Sequence, residues 1–280
     1  MNINPSCMHR ERLRKLQRVV VKVGSRVLVQ RNGRPDLLRI KMLVKEVVSL
    51  RRVGIEVVLV SSGAVGAGME ALGLKKRPTD LPDLQMAAAI GQTRLMAMYE
   101  RLFSAKRYKT GQVLLTHDDF KNPRRRLNAR STMLNLLRNN IIPIVNENDV
   151  VAVDEIKVGD NDILASLVSL LIRTDALILL SVVDGLREPT SSGRTRRVSL
   201  LEEITRDTLK MATGVGSILS IGGMATKLKA AQTVTKSGAM AVIANGRKED
   251  VLTRIIKGED VGTLVVGHKD KERRKSKVGR

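Results

Sequence analysis

IIPIV (Ile141–Val145), NENDVVAVDEIKVGDND (Asn146–Asp162) and ILASL (Ile163–Leu167) follow one another without a break. The first block is a β-branched apolar run of strand character, and the last has the spacing of a helix. A strand with no polar alternation is buried on both faces, which is the environment of a parallel sheet covered by helices. Between them stand Glu147, Asp149, Asp154, Glu155, Asp160 and Asp162, in a chain that is otherwise strongly basic. Acid at that density repels itself unless it binds a cation or stands beside fixed lysines. A polar loop with Asp160 as a helix N-cap is the plainer reading. Two lysines met further along the chain, Lys22 and Lys227, weigh against it.

The same alternation extends in both directions. Strand-like runs recur at Val19–Val23, Ile55–Val60, Gln112–Leu115, Leu177–Leu180 and Met240–Ile243. Leu37–Arg52, Leu84–Lys106, Arg130–Asn139, Ile163–Ile172 and Met224–Lys236 carry helical spacing between them. Strands alternating with helices imply an α/β fold around a largely parallel sheet. Arg187–Arg197, REPTSSGRTRR, reads as an exposed mobile loop, because Pro189, Ser191, Ser192 and Gly193 oppose regular structure.

Composition narrows the function classes. The 280 residues carry a formal charge of +22, and much of it lies in residues 1–18 and 268–280, which read as solvated basic tails flanking one domain over 19–267. Such tails attract polyanions weakly and in a salt-dependent way. Aromatic residues make up 1% of the chain, too few for a surface that stacks bases, so no specific nucleic-acid partner is expected. The single cysteine, Cys7, excludes an intrachain disulfide, and His9, His117 and His268 lack the spacing of a zinc site. No apolar h-region opens the chain and no run reaches transmembrane length, so a cytoplasmic protein is expected.

Ligands of open parallel sheets bind beyond the carboxyl ends of the strands, and four motifs fall there. In Val21-Lys22-Val23-Gly24-Ser25, Gly24 permits a tight turn whose N–H groups can face phosphate oxygens, and Lys22 adds a point charge. In Ser61–Gly68, SSGAVGAG, small residues give a helix start that an anion can approach, although tight packing would use the same glycines. The acidic stretch is the third motif. In Gly222-Gly223-Met224-Ala225-Thr226-Lys227 a helix N-terminus and a lysine one turn in converge on an anion. None of the four contains a histidine or an activated serine or cysteine. That suits phosphoryl transfer to a carboxylate, which at a pKa of about 4 is already ionised and needs no general base.

Together VKVGS (21–25), SSGAVGAG (61–68), AAIGQTRL (88–95), LLTHDDF (114–120), NAR (128–130), NEND (146–149), IKVGDND (156–162) and GGMATKLKAA (222–231) resemble the glutamate 5-kinase branch of the amino acid kinase family. The resemblance implies a three-layer αβα sandwich, the amino acid kinase fold, and transfer of phosphate from ATP to the γ-carboxylate of L-glutamate, the first step of proline synthesis. It implies Mg²⁺ carried on the ATP phosphates, with no metal held by the protein itself. Lys22, Asp162 and Lys227 match the catalytic positions. Ser62, Asn146, Asp149, Asp160 and Asn161 match or adjoin the glutamate-binding ones. Lys22, Gly24, Ser25, Ser181, Gly222, Gly223 and Lys227 fall on the nucleotide side. Asp149 and Asp160 also suit a free α-ammonium group. Family members form dimers or tetramers, and many carry a C-terminal PUA domain, of which no counterpart is expected after Gly267 here.

Four positions depart from the family pattern on the nucleotide side: Arg26, Val182, Arg187 and Ile221. Two other readings are weighed against glutamate phosphorylation. One is a sibling kinase of acetylglutamate, aspartate or a nucleoside monophosphate, against which the acid pair Asp149 and Asp160 argues. The other is a catalytically dead basic RNA-binding protein, against which the lack of aromatics argues.

Overall fold

The computed structural model describes residues 5–30, 33–152, 161–190, 193–213 and 223–267. Its strands are β1 (Arg18–Val23), β2 (Glu56–Ser61), β3 (Lys109–Leu115), β4 (Ile141–Glu147), β5 (Ala176–Ser181), β6 (Arg187–Pro189), β7 (Thr195–Arg197), β8 (Leu200–Leu201), β9 (Met240–Asn245) and β10 (Thr263–Val265). The helices used below are α1 (Pro5–Glu11), α2 (Ser25–Leu28), α3 (Leu37–Arg52), α4 (Ala64–Ala71), α5 (Leu81–Ser104), α6 (His117–Lys121), α7 (Pro123–Arg138), α8 (Asn161–Ile172), α9 (Arg206–Thr213), α10 (Gly223–Lys236) and α11 (Val251–Ile256).

Eight strands form one sheet in the order β3-β4-β2-β1-β5-β9-β10-β8. The six strands from β3 to β9 pair in parallel, and β10 runs antiparallel to β9. Residue alternation sorts the sheet into two cores. Val19, Val21 and Val23 join Val57, Leu59, Ile178 and Val242 against α3, α5 and α11. Val20 joins Val58, Val60, Leu177 and Ile243 against α7, α8 and α10. Both sides of β1 are therefore dry, which is why its sequence reads as an unbroken valine run. Helices on both faces give the three layers expected.

Two readings of the sequence need correction. The basic tail over residues 1–18 is structured from Pro5 onward: α1 leads into a 3₁₀ turn, Arg12–Lys15, and Leu13 is fully buried. The reason is Arg10, only 2% exposed, whose guanidinium donates to the carbonyls of Ser199, Glu259, Val261 and Gly262 at 2.9–3.0 Å and pairs with Asp260 at 2.9 Å. One cation thereby satisfies three backbone acceptors of the loop entering β10 and one just before β8, and a composition argument treats it as surface charge. The second is REPTSSGRTRR, which forms the antiparallel β6–β7 hairpin instead of a loop without structure. Arg187 fastens it by donating to Asp184 and to Thr195.

Candidate active site

The carboxyl ends of β1, β2, β4 and β5 meet at the middle of the sheet. Lys22 follows Val21 on β1 and so shares the face of Val20, the face covered by α8 and α10. Asp162 stands in the first turn of α8 and Lys227 one turn into α10. The geometry brings the three together. Lys22 Nζ lies 2.6 Å from Asp162 Oδ1, and Lys227 Nζ lies 2.8 Å from Asp162 Oδ2. Asp162 is wholly buried, Lys22 is 3% exposed and Lys227 is 8% exposed. Lys227 Nζ also donates to the Gly223 carbonyl at 3.1 Å, which ties it to the start of its own helix. Burial pushes the Asp162 carboxyl up, but the charges and hydrogen bonds of Lys22 and Lys227 outweigh burial and hold it below the usual carboxylate range. Two cations about one anion leave an excess positive charge in a dry place, an arrangement suited to an anionic ligand.

A second constellation lies beside the first. Asn161 Nδ2 donates to the Ser61 carbonyl at 3.1 Å, to Ser62 Oγ at 3.0 Å and to Asn146 Oδ1 at 2.8 Å. Asn146 Oδ1 also accepts from Glu147 N at 2.9 Å, and Asn146 Nδ2 donates to Gln92 Oε1 at 2.9 Å. The direction of this chain is fixed at two backbone points. The Ser61 carbonyl can only accept and the Glu147 N–H can only donate, so neither Asn161 nor Asn146 can turn its amide over without setting like groups against each other. As a result Gln92 must present its oxygen to Asn146. Asn161 keeps Oδ1 as an acceptor that takes no hydrogen bond from a described residue, and the Ser62 hydroxyl keeps its proton.

Among the remaining expected residues, Asp149 sits half-buried in the turn after β4, and Ser181 ends β5. Gly24 and Ser25 join β1 to the one-turn helix α2, with Gly24 N donating to the Leu180 carbonyl at 3.1 Å. Gly24 has a φ of −73°, so its turn does not demand glycine. Gly223 opens α10, while Asp160, Gly222 and Ile221 lie outside the described residues. In SSGAVGAG, Gly63 needs its left-handed φ of +117° to start α4. Gly68 serves packing: a Cβ there would strike the Ala87 carbonyl on α5, as one on Gly91 would strike that of Ala64. Of the departures, Val182 packs against the α3–α5 core, Arg187 is engaged in the hairpin and Arg26 is exposed.

Sequence reading gave no role to Gln92 or Tyr99. Tyr99 is fully buried and its hydroxyl lies 2.8 Å from Ser61 Oγ, bracing the end of β2 from below. Gln92 had one signal: a long amide among the small residues Ala87, Ala88, Ala89 and Gly91 on a helix that packs closely.

Comparison with known proteins shows the family. A sequence model of the amino acid kinase family matches residues 17–245. The chain belongs to that family. A glutamate 5-kinase of Citrifermentans bemidjiense is 48% identical over 259 residues, covering 92% of this chain and 69% of the relative. A glutamate 5-kinase of Clostridium tetani is 44% identical over 256 residues, covering 91% of this chain and 96% of the relative. In fold the chain is similar to the carbamate kinase of Giardia lamblia bound to AMP-PNP, with a TM-score of 0.64 and 18% identity over 90% of this chain and 98% of that one. It is also similar to the UMP kinase of Bacillus anthracis, with a TM-score of 0.59 and 20% identity over 90% of this chain and 97% of that one. These two likenesses bear on the fold alone.

Proposed function

We propose that the chain phosphorylates the γ-carboxylate of L-glutamate with ATP, giving γ-glutamyl phosphate and ADP, as the first step of proline synthesis. The observation that carries this reading is the buried Lys22–Asp162–Lys227 constellation, in a chain similar to glutamate 5-kinases over nine-tenths of its length. A γ-carboxylate oxygen forms a bond to the γ-phosphorus as the bond from that phosphorus to the β-bridging oxygen breaks. The carboxylate arrives ionised, so catalysis consists of positioning and of charge stabilisation. Lys22 and Lys227 stabilise the transferring phosphoryl group, and Asp162 holds both at the distance that task needs. Gly24, Ser25, Ser181, Gly222 and Gly223 border the nucleotide. On the glutamate side, Asn161 Oδ1 and Asp149 accept from the α-ammonium group, Ser62 donates to a carboxylate, and Asn146 and Asp160 complete the wall.

Mg²⁺ bound to the ATP phosphates would neutralise charge on the leaving group. Among the described residues no group of three or more His, Cys, Asp or Glu side chains is placed to hold a metal. No helix among the described residues is long and apolar enough to cross a membrane, and a cytoplasmic place is part of the proposal. So is assembly into a dimer or tetramer, for which light scattering is the test.

The activity is tested by hydroxylamine-trapped hydroxamate and ADP release with ATP, Mg²⁺ and L-glutamate, beside Lys227→Ala. Glutamate-dependent hydroxamate that disappears in the variant is the expected result. ADP release driven instead by aspartate, acetylglutamate or UMP would replace glutamate with that acceptor.

A further inference from the structure

The candidate active site occupies the carboxyl ends of the strands. A cavity of about 620 Å³ opens at their other end, beneath the N-terminal segment. Arg12 and Lys15 of the 3₁₀ turn line it, with Arg173, Thr174 and Asp175 of the link between α8 and β5. Its size lies within the range of small-molecule pockets.

Three properties point to an anion. First, three cationic side chains line the cavity against one carboxylate, and that carboxylate is already engaged. Asp175 Oδ2 accepts from the backbone N–H groups of Gln17 at 2.7 Å and Arg18 at 2.8 Å, fixing the entry to β1. Second, Lys15 and Arg173 form no ion pair with any described residue, although Asp175 lines the same cavity. Arg173 is held there at a φ of +53°, a left-handed conformation that an arginine rarely adopts and that the αL-tolerant residues suit better. Third, Thr174 is 7% exposed and its Oγ1 has no hydrogen-bond partner among the described residues. Buried hydroxyls are almost always paired, so an orphan on a residue that lines a cationic cavity calls for an acceptor from outside the chain.

We propose that this cavity is a binding site for a small phosphate-bearing anion, distinct from the active site. An arginine fork and a lysine suit phosphate oxygens, and the threonine hydroxyl supplies a neutral donor. The six residues of β5 separate this end of the sheet from the other by roughly 15–20 Å at about 3.3 Å per residue, so one ligand of ordinary size does not reach both sites.

The test uses the full chain carrying Lys227→Ala, which weakens anion binding at the opposite end. Inorganic phosphate and AMP are titrated calorimetrically at about 0.15 M salt, where surface attraction is screened beyond about 8 Å. One equivalent of ligand should bind per chain. Lys15→Met with Arg173→Asn should weaken it tenfold or more, and Thr174→Val severalfold, with the melting temperature of the free protein not lowered by Thr174→Val. Binding of AMP well above phosphate assigns the occupant to a phosphorylated nucleoside, and equal binding assigns it to phosphate itself. The proposal is overturned if neither ligand binds, if the double variant binds as the parent does, or if only an RNA homopolymer binds and salt abolishes it. In the enzyme with Lys227 intact, Lys15→Met should leave glutamate phosphorylation unchanged when no phosphate is added.

Discussion

Replacing Asp162 by Asn changes almost no volume and removes the one negative charge between two buried ammonium groups. At an effective dielectric of about 20, unit charges about 4 Å apart attract by roughly 4 kcal/mol, and two such attractions vanish together. The desolvation of both lysines remains, because Lys22 and Lys227 stay on buried parts of β1 and α10. Breaking buried pairs in this way costs about 3–5 kcal/mol, and the Asn oxygen recovers part of it by accepting from one lysine. We expect Asp162→Asn to lose about 3 kcal/mol in urea unfolding and about 10²- to 10³-fold in hydroxamate formation, since the phosphoryl-facing cations are no longer held in place. Adding Lys22→Met to Asp162→Asn removes the like-charge conflict. The double variant should regain about half of the lost stability and none of the lost rate. A reading in which Asp162 merely starts α8 predicts otherwise: a loss under about 1 kcal/mol, and a further loss on adding Lys22→Met. Either result would refute the electrostatic account.

Three other outcomes follow from particular contacts. Gln92→Met removes the acceptor that holds Asn146 Nδ2, so steady-state kinetics should show KM for glutamate rising about tenfold, near 1.4 kcal/mol, with kcat within about threefold; Gln92→Glu, which keeps an acceptor, should lie closer to the parent. Glu46, buried in α3 beside the start of α11, accepts from Leu252 N at 2.5 Å, yet burial pushes its carboxyl up to about 7. Its folded value is raised above the unfolded one, so the folded state holds the extra proton between about pH 4.5 and 7, and stability falls as pH rises across that window by at most about 3 kcal/mol. Glu46→Gln should remove that slope in melts at pH 5, 6 and 7.5, and an unchanged slope would show that the group ionises freely in the fold. Arg10→Met should cost about 3–5 kcal/mol in chemical unfolding by stranding the carbonyls of Ser199, Glu259, Val261 and Gly262 and the Asp260 carboxylate; a loss under about 1 kcal/mol would show the N-terminal segment to be dispensable.

The parallel core was legible because its strands are buried on both faces, so their apolar runs need no partner to be recognised. Lys22, Asp162 and Lys227 each read as ordinary alone, and it was their occurrence together, in motifs that resemble one family, that singled them out. The elements that sequence reading missed depend on particular contacts that residue type alone does not announce. Arg10 is one more arginine in a basic chain until the carbonyls of residues 259–262 come within its reach, some 250 positions away. The β6–β7 hairpin rests on Arg187 meeting Asp184 and Thr195, and turn residues alone do not reveal that. Gln92 belongs to the same class. Its helix was read correctly, but the direction of its amide depends on a chain of hydrogen bonds running through β4 and α8 to the end of β2.

That chain bears on how the two halves of the site differ. The proposed phosphoryl half is built of charge: two lysines about one carboxylate, with one positive charge in excess. The amide half, from Gln92 through Asn146 and Asn161 to Ser62, works with neutral dipoles of fixed direction. A neutral donor or acceptor gains little net free energy from a correct partner, yet a buried one left unmatched costs about 1–3 kcal/mol. In the proposed site Asn161 Oδ1 therefore penalises a group that offers it no donor more than it rewards an ammonium group. Reversing that preference takes more than an exchange at Asn161. The Ser61 carbonyl and the Glu147 N–H would still impose the original direction, so under the proposed function a preference for a free amine rests on the backbone at the ends of β2 and β4.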